Sequence, residues 1–137
     1  MANKRKTWAP SSPRQKKHRV PDSIKLRLKE KADEIIEHIL KPEHIKPPPT
    51  DNDFNYLVDI YSKWYRNYFY FCAKYNCPGP NAISPSFETK FARMEYVGHE
   101  RFNISYMRHT GQWWEIHQEL SILESIKTIT EEPHFIP

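Results

Sequence analysis

The uneven distribution of charge along the chain limits which residues can form a folded core. The first nineteen residues carry seven cationic side chains and no anionic one, so this segment has a net charge of +7. The remaining 14 Lys and Arg lie with all 17 Asp and Glu in a body of net charge −3. A polar, like-charged segment cannot bury enough apolar surface to order itself. The sequence therefore predicts a disordered basic tail over residues 1–20 and a single domain over residues 21–137.

The composition of the body suits one small domain. A chain of 137 residues has room for one domain of roughly 100 residues beside such a tail. Apolar residues make up only 38% of the chain, but 4 Trp, 8 Tyr and 7 Phe can each bury about 150–250 Å². Three Gly against 12 Pro indicate loops that are stiffened by proline.

The first element of the body is predicted to be a helix over residues 23–40. Asp22 is a suitable N-cap, and Pro42 is expected to end the helix because it cannot donate the next backbone hydrogen bond. Residues 42–53 contain four prolines and are predicted to form an extended connector inside the domain. The apolar residues at helical spacing on one face are Ile24, Leu28, Ala32, Ile35, Ile36 and Ile39.

Residues 56–75 satisfy two patterns. Their apolar positions fit a helical period, whereas the run Tyr68-Phe69-Tyr70-Phe71 is typical of a strand. We predict two strands, over 56–64 and 68–75, joined by a turn at 65–67, and a helix remains the alternative. Tyr68, Tyr70 and Lys74 then share one side of their strand, where core packing explains the two rings as well as base stacking does.

Three further strands and a helix are predicted to complete the domain. The strands cover 90–97, 102–109 and 112–117, after an irregular loop over 76–87. Ser121 and Glu124 have the spacing of a capping box, followed by the apolar residues Ile122, Leu123, Ile126 and Ile129. The predicted class is α+β: an antiparallel sheet of about five strands with an N-terminal and a C-terminal helix on one face.

The predicted turns assign a face to each strand residue. A two-residue turn at Thr110-Gly111 would set Met107 opposite Trp114, and a four-residue loop over 98–101 would set Met94 opposite Ser105. The helix side would then carry Ala92, Met94, Tyr96, Met107, Trp114 and Ile116. The opposite side would carry Arg93, Glu95, Ile104, Tyr106, Arg108, Trp113, Glu115 and His117.

This second side has the residue types of a nucleic-acid surface, because bases stack on exposed rings and cations meet phosphates. A solvated sheet face with cross-strand Arg–Glu pairs is the alternative. Catalysis would need a pocket around Glu95, Glu115, His117 and Tyr106.

No catalytic or cofactor motif is present, and no cofactor or metal is expected. Cys72 and Cys77 are separated by four residues and lack a second pair of cysteines, so free thiols are predicted. The N-terminus lacks the apolar run of a signal peptide, and no stretch reaches the ~18 apolar residues of a membrane span. A cytoplasmic location without membrane contact is expected. In a eukaryote, the basic clusters of the tail would also suit nuclear import.

Several strings near the C-terminus resemble a family of small bacterial proteins of unknown function. They are the Phe91–Tyr96, Ile104–Arg108 and Gln112–Ile116 segments, the helix after Ser121, and the Pro133-His134-Phe135 end. The resemblance covers residues 90–135 and implies a bacterial, cytoplasmic protein with the same order of elements. It implies no activity, cofactor or catalytic residue.

These observations favour a non-enzymatic accessory protein that contacts nucleic acid, RNA or a ribonucleoprotein in particular, through its basic tail. The alternative is a module for protein interaction or self-association that uses the aromatic sheet face. Partner, oligomeric state and the choice between RNA and DNA stay open. The expected contact residues are Lys4, Arg5, Lys6, Trp8, Arg14, Lys16, Lys17 and Arg19 of the tail, with Arg93, Tyr106, Arg108 and Trp113 of the domain.

Overall fold

The computed structural model of the protein describes residues 18–50 and 54–137. Residues 1–17 of the predicted tail lie outside the described residues. His18 approaches Tyr96 edge-on, with ring centroids 6.4 Å apart, and Val20 is buried at 5% exposure. The packed chain therefore includes residues 18–20, which the sequence-based boundary had left in the tail.

Five antiparallel strands form one sheet in sequence order, with helical elements before and after them. This confirms the predicted α+β class, and the middle segment forms two strands rather than a helix. No helix among the described residues is both long and apolar enough to cross a membrane. The elements are α1 (Asp22–Ile35), a π-helical turn (Ile36–Leu40), α2 (Lys41–His44), β1 (Tyr56–Tyr65), β2 (Tyr68–Asn76), β3 (Ser86–Tyr96), β4 (Phe102–Met107), β5 (Trp113–Leu120), α3 (Ile122–Glu131) and a 3₁₀ turn (Pro133–Phe135).

The N-terminal helix continues past Pro42, which corrects the predicted end. The N–H of Lys41 donates to the carbonyl of Ile36, five residues back, so the turn before the proline is π-helical. A proline ring clashes with the carbonyl four residues earlier in a regular α-helix, and the wider turn relieves that clash. The π-helical turn contains one residue more than an α-helical turn, and this extra residue changes which side chains after it face the core. Leu40 is buried at 1% exposure, whereas Ile39, which was predicted to be buried, is 43% exposed.

One hydrophobic core lies between the helices and the sheet. Leu28 of α1, Phe69 of β2 and Phe102 of β4 are fully buried in it. Trp64 ties β1 to α1, because its indole N–H donates to the carbonyl of Lys25 at 3.1 Å while its ring meets Phe69 edge-on. The helical elements before and after the strands thus pack on the same face of the sheet.

The C-terminal helix begins at the predicted capping box. The Glu124 N–H donates to the Ser121 hydroxyl at 3.1 Å, and the Ser121 N–H donates to the Glu124 carboxylate at 2.8 Å. Leu123 is 67% exposed, however, and the fully buried Ser125 takes its place on the buried side. A residue at the second helical position points away when its neighbour at the first position faces the core.

All three tight turns differ from the prediction by one residue. The β1–β2 turn pairs Tyr65 with Tyr68 and so contains two residues, where a three-residue turn over 65–67 was predicted. At the β4–β5 turn, the Gly111 N–H donates to the Arg108 carbonyl and the Arg108 N–H donates to the Gln112 carbonyl. With Gly111 at φ +83°, this is a three-residue loop built on a turn and a left-handed glycine. The β3–β4 turn likewise has three residues, since Val97 pairs with Arg101.

These loop lengths shift β4 by one position relative to the prediction. Met94 lies opposite Ile104 rather than Ser105, and Met107 lies opposite Trp113 rather than Trp114. A slip of one residue moves every side chain of a strand to the other face. Ile104 and Tyr106 are therefore on the helix side, and Met107 is on the opposite side.

Candidate nucleic-acid interface

One face of the sheet carries no helix of the described residues 18–50 and 54–137, and we call it the open face. Strand alternation places aromatic, charged and small side chains there, whereas the intervening residues enter the core. Four of these side chains are cationic and three are anionic. The residues of the open face are Tyr61, Lys63 and Tyr65 of β1, Tyr68, Tyr70, Cys72 and Lys74 of β2, Glu88, Lys90, Arg93 and Glu95 of β3, Ser105 and Met107 of β4, and Trp113 and Glu115 of β5.

Arg93 lies between two aromatic rings at the centre of the open face. Its Cζ is 4.8 Å from the centroid of the Tyr68 ring and 4.9 Å from that of Trp113. The Tyr70 ring is 5.9 Å from Trp113, and the ammonium of Lys90 is 5.4 Å from the Tyr70 ring. Cation–π contacts of this kind hold the guanidinium plane against the rings without neutralising its charge.

The charges of the open face are not paired with each other. Every ion pair found within residues 18–50 and 54–137 includes a residue of a helix or, for Glu132, of a helix C-cap. The cross-strand Arg–Glu pairs of a plain solvated sheet are therefore absent from the described part of this face. The Nε atom of Arg93 is buried and has no hydrogen-bond partner among the described residues. A buried donor without a partner is uncommon and calls for an explanation.

A depression of about 400 Å³ lies beside the Arg93 stack, between β1, β3 and the β4–β5 turn. The Tyr61 hydroxyl donates to the Glu88 carboxylate at 2.5 Å on its wall. Burial and the neighbouring Glu88 raise the pKa of Tyr61, so the hydroxyl stays protonated at neutral pH. Burial also raises the pKa of Cys72, which keeps that thiol neutral. The lining residues are Tyr61, Lys63, Tyr70, Cys72, Glu88, Thr89, Lys90, Met107, Gly111 and Trp113.

The structure brings together only two of the four domain residues that were predicted to form the contact face. Arg93 and Trp113 are in contact on the open face. Tyr106 lies on the helix side, stacked on His134 with ring centroids 4.7 Å apart. Arg108 begins the β4–β5 turn and covers Trp114 at 4.7 Å, away from Arg93. The one-residue shift of β4 explains why Tyr106 is on the other side.

The predicted tail contacts fall mostly outside the described residues. Lys4, Arg5, Lys6, Trp8, Arg14, Lys16 and Lys17 precede residue 18, where the description begins. Arg19 is described and exposed, and it borders a shallow groove with Lys25 and Arg66.

The residues of the catalytic alternative do not converge. Glu95 and Glu115 lie on the open face, whereas Tyr106 and His117 lie on the helix side, where both oxygens of Glu132 are 3.0 Å from His117 Nε2. No group of three or more His, Cys, Asp or Glu in the described ranges could hold a metal ion. Cys72 and Cys77 are free thiols.

Sequence reasoning missed the contribution of β1 and of the first half of β3 to this surface. The signal was available in the alternation of Tyr61, Lys63 and Tyr65, and in Glu88 and Lys90 two residues apart. Residues 86 and 87 were assigned to a loop and residues 88 and 89 to no strand, so Glu88 had no face, although β3 begins at Ser86.

The fold and surface define an α+β protein in which the helices of the described chain cover one face of a five-stranded antiparallel sheet and not the other. The chain belongs to a family described as a domain of unknown function, DUF3024, whose model matches residues 20–137. The match extends beyond the 90–135 segment that carried the sequence resemblance, and it includes the connector and both first strands. Neither the curated proteins nor the solved structures contain a match to this chain.

Proposed function

We propose that the protein binds single-stranded nucleic acid, RNA in particular, on the open face, with the basic N-terminal segment adding phosphate contacts. The observation that carries the proposal is the stack of Tyr68, Arg93 and Trp113, a charged plane between two rings with no anionic partner in the described chain. Bases stack on aromatic rings and on guanidinium planes, and single-stranded RNA is recognised mainly in this way.

Cations beside the rings support the same proposal. Lys90 covers Tyr70, and Lys63 lies on the neighbouring strand opposite Tyr70. A nucleotide that stacks a base on this ring has a phosphate within reach of an ammonium group. Because these lysines have no ion pair among the described residues, a phosphate would not have to displace a carboxylate.

The N-terminal segment adds positive charge that would make further contacts with phosphates. Its seven cations face no acidic residue within the first nineteen positions. For single strands, each neutralised phosphate contributes about 0.7 to the slope of log affinity against log salt. A protein that combines this segment with a stacking face would bind tightly at low salt and keep part of its affinity at high salt, through the rings.

A second candidate function is self-association or protein binding through the open face. The partly exposed rings favour it, since Tyr65 is 55% exposed on β1 and aromatic side chains are enriched in interfaces. Salt separates the two candidates. A complex held by apolar contacts persists in high salt, whereas one held by exposed charges weakens.

Two adjacent tryptophans provide the test. Trp113 contacts Arg93 on the open face, and Trp114 lies on the other side of β5, opposite Tyr106. Fluorescence anisotropy of a labelled 20-nucleotide RNA should show Trp113→Ala weakening binding by about 5- to 100-fold, the cost of one lost base stack. The Trp114→Ala variant should bind as the parent does, with circular dichroism confirming both folds. Equal affinity of the two variants would contradict the proposal.

A further inference from the structure

The depression beside the Arg93 stack has the chemistry of a base-binding subsite. Its volume of about 400 Å³ lies within the ~300–1,000 Å³ range of small-molecule sites. Two aromatic side chains, Tyr70 and Trp113, form one wall, and two ammonium groups, Lys63 and Lys90, stand at its border. Rings for a base and cations for its flanking phosphates are therefore present together.

Glu88 is the only carboxylate among the described residues that line the depression. One of its oxygens, Oε1, accepts the hydrogen bond from Tyr61, and Oε2 accepts none from the described residues. A carboxylate accepts hydrogen bonds and donates none, so it favours a base that presents an amino group and disfavours one that presents a carbonyl there. Tyr61 acts as a positioning residue, because its hydroxyl fixes the direction of the carboxylate.

We propose that this depression holds one base with an exocyclic amino group, in preference to uracil or thymine, with Glu88 as the acceptor for that amino group. The inference rests on the proposed binding of nucleic acid and adds base selectivity to it. Lys63 and Lys90 bind the phosphates on either side of the base. Cytosine and uracil make the sharpest comparison, because they match in size and differ at this edge mainly by an amino group in place of a carbonyl oxygen.

The test measures the affinity of the full chain for labelled (rC)₁₂ and (rU)₁₂ at pH 7.5 by fluorescence anisotropy. The parent protein should prefer (rC)₁₂ by on the order of tenfold, the usual size of one hydrogen bond to a charged group. In Glu88→Gln the ratio should fall to about one, since a glutamine side chain can both donate and accept. In Tyr61→Phe the ratio should fall part of the way, with the affinity for (rU)₁₂ little changed.

Glu115→Gln is the matched control, because Glu115 is an open-face carboxylate that does not line the depression. It should keep the preference of the parent, which separates the loss of a specific acceptor from the loss of a negative charge. Equal affinity of the parent for both oligonucleotides would overturn this inference and leave the proposed function standing. Binding to neither would overturn both. A preference that survives Glu88→Gln would also overturn the assignment of Glu88.

Discussion

Arg93 and Trp113, which are 20 residues apart on strands that do not pair with each other, meet across β4 with 4.9 Å between the guanidinium carbon and the ring centroid. On β4, Ser105 pairs with Arg93 and with Glu115, whereas Met107 pairs with Trp113, so the contact runs diagonally across β4. The Ser105 side chain is small and only 2% exposed, which leaves room for the Arg93 side chain to reach across β4.

Replacing Arg93 should weaken binding and change its salt dependence. Arg93→Ala removes one cation and one stacking plane, so we expect a lower affinity for a 20-nucleotide RNA and a log–log salt slope that is smaller in magnitude by about 0.7. Anisotropy titrations at several salt concentrations give both values. Lys127→Ala, which removes an exposed cation of α3 that forms no ion pair among the described residues, should leave the affinity and slope almost unchanged. An unaltered slope in Arg93→Ala would exclude a phosphate contact by this residue.

Removing residues 1–17 should reduce the salt dependence much further. The deletion takes away six cations and ends before Val20, whose burial makes it part of the folded domain. If all six contact phosphates, the slope falls by about four in magnitude, while stacking on the open face retains weak binding. Anisotropy titrations over the same salt series measure this slope. Adding Trp113→Ala to the deletion should remove the residual binding. A deletion with the parent's slope would show that the basic segment does not reach the nucleic acid.

The capping box of α3 should make stability depend on pH in the acidic range. Hydrogen bonds from Ser121 hold the pKa of Glu124 below its usual value of 4.5. A carboxyl group whose pKa is lowered by folding stabilises the native state above its unfolded pKa, and the contribution is lost as the pH falls through the folded pKa. Urea unfolding should therefore show parent and Glu124→Gln differing at pH 7 and converging near pH 3. If the difference in unfolding free energy between the two proteins persists at pH 3, it comes from packing and not from the charge of Glu124.

Replacing Ser121 tests the other half of the same cap. Ser121→Ala removes the acceptor for the Glu124 N–H, and the loss of an N-cap side chain costs about 1 kcal/mol of unfolding free energy. Ser121→Asp keeps an acceptor at the N-cap and should recover most of that stability. Urea unfolding at pH 7 compares the variants. A Ser121→Ala protein as stable as the parent would mean that water replaces the cap without cost.

The left-handed glycine of the β4–β5 turn should be the most sensitive position of that loop. Gly111 has φ +83°, and nothing lies within 4 Å of the position of an added Cβ, so conformation rather than crowding sets the cost. Gly111→Ala should destabilise the protein by about 1 kcal/mol, and Gly111→Asn by less, because asparagine tolerates this conformation. Thermal unfolding gives the order of the three proteins. Equal midpoints would indicate that the loop changes type to accept the side chain.

Local signals in the sequence were enough for much of the architecture. The capping box at Ser121, the β1–β2 hairpin and the strand-forming run at Tyr68 each depend on residues a few positions apart. Each is present, the hairpin with a turn one residue shorter than predicted. Pro42 is a local signal that failed, because a π-helical turn relieves the clash which normally ends a helix at proline.

The candidate site was predicted less well, since it depends on strand register. Arg93 and Trp113 were placed correctly, whereas Tyr106 was assigned to the same face and lies on the other one. The error is a single residue in each of two loops, and it comes from the choice between two-, three- and four-residue turns. That choice is set by backbone dihedral angles such as the positive φ of Gly111 and Glu100, which composition does not specify.

The sequence by itself determined the order of the elements, the end of the chain where cations accumulate, and the alternation that puts rings and charges on one side of each strand. These properties follow from neighbours along the chain. Only the tertiary structure decided which alternating faces join into one surface, that Arg93 would lie between two rings and pair with no carboxylate of the described residues, and that Glu88 would border a depression. Those outcomes depend on how strands separated in sequence align, and a shift of one residue reverses them.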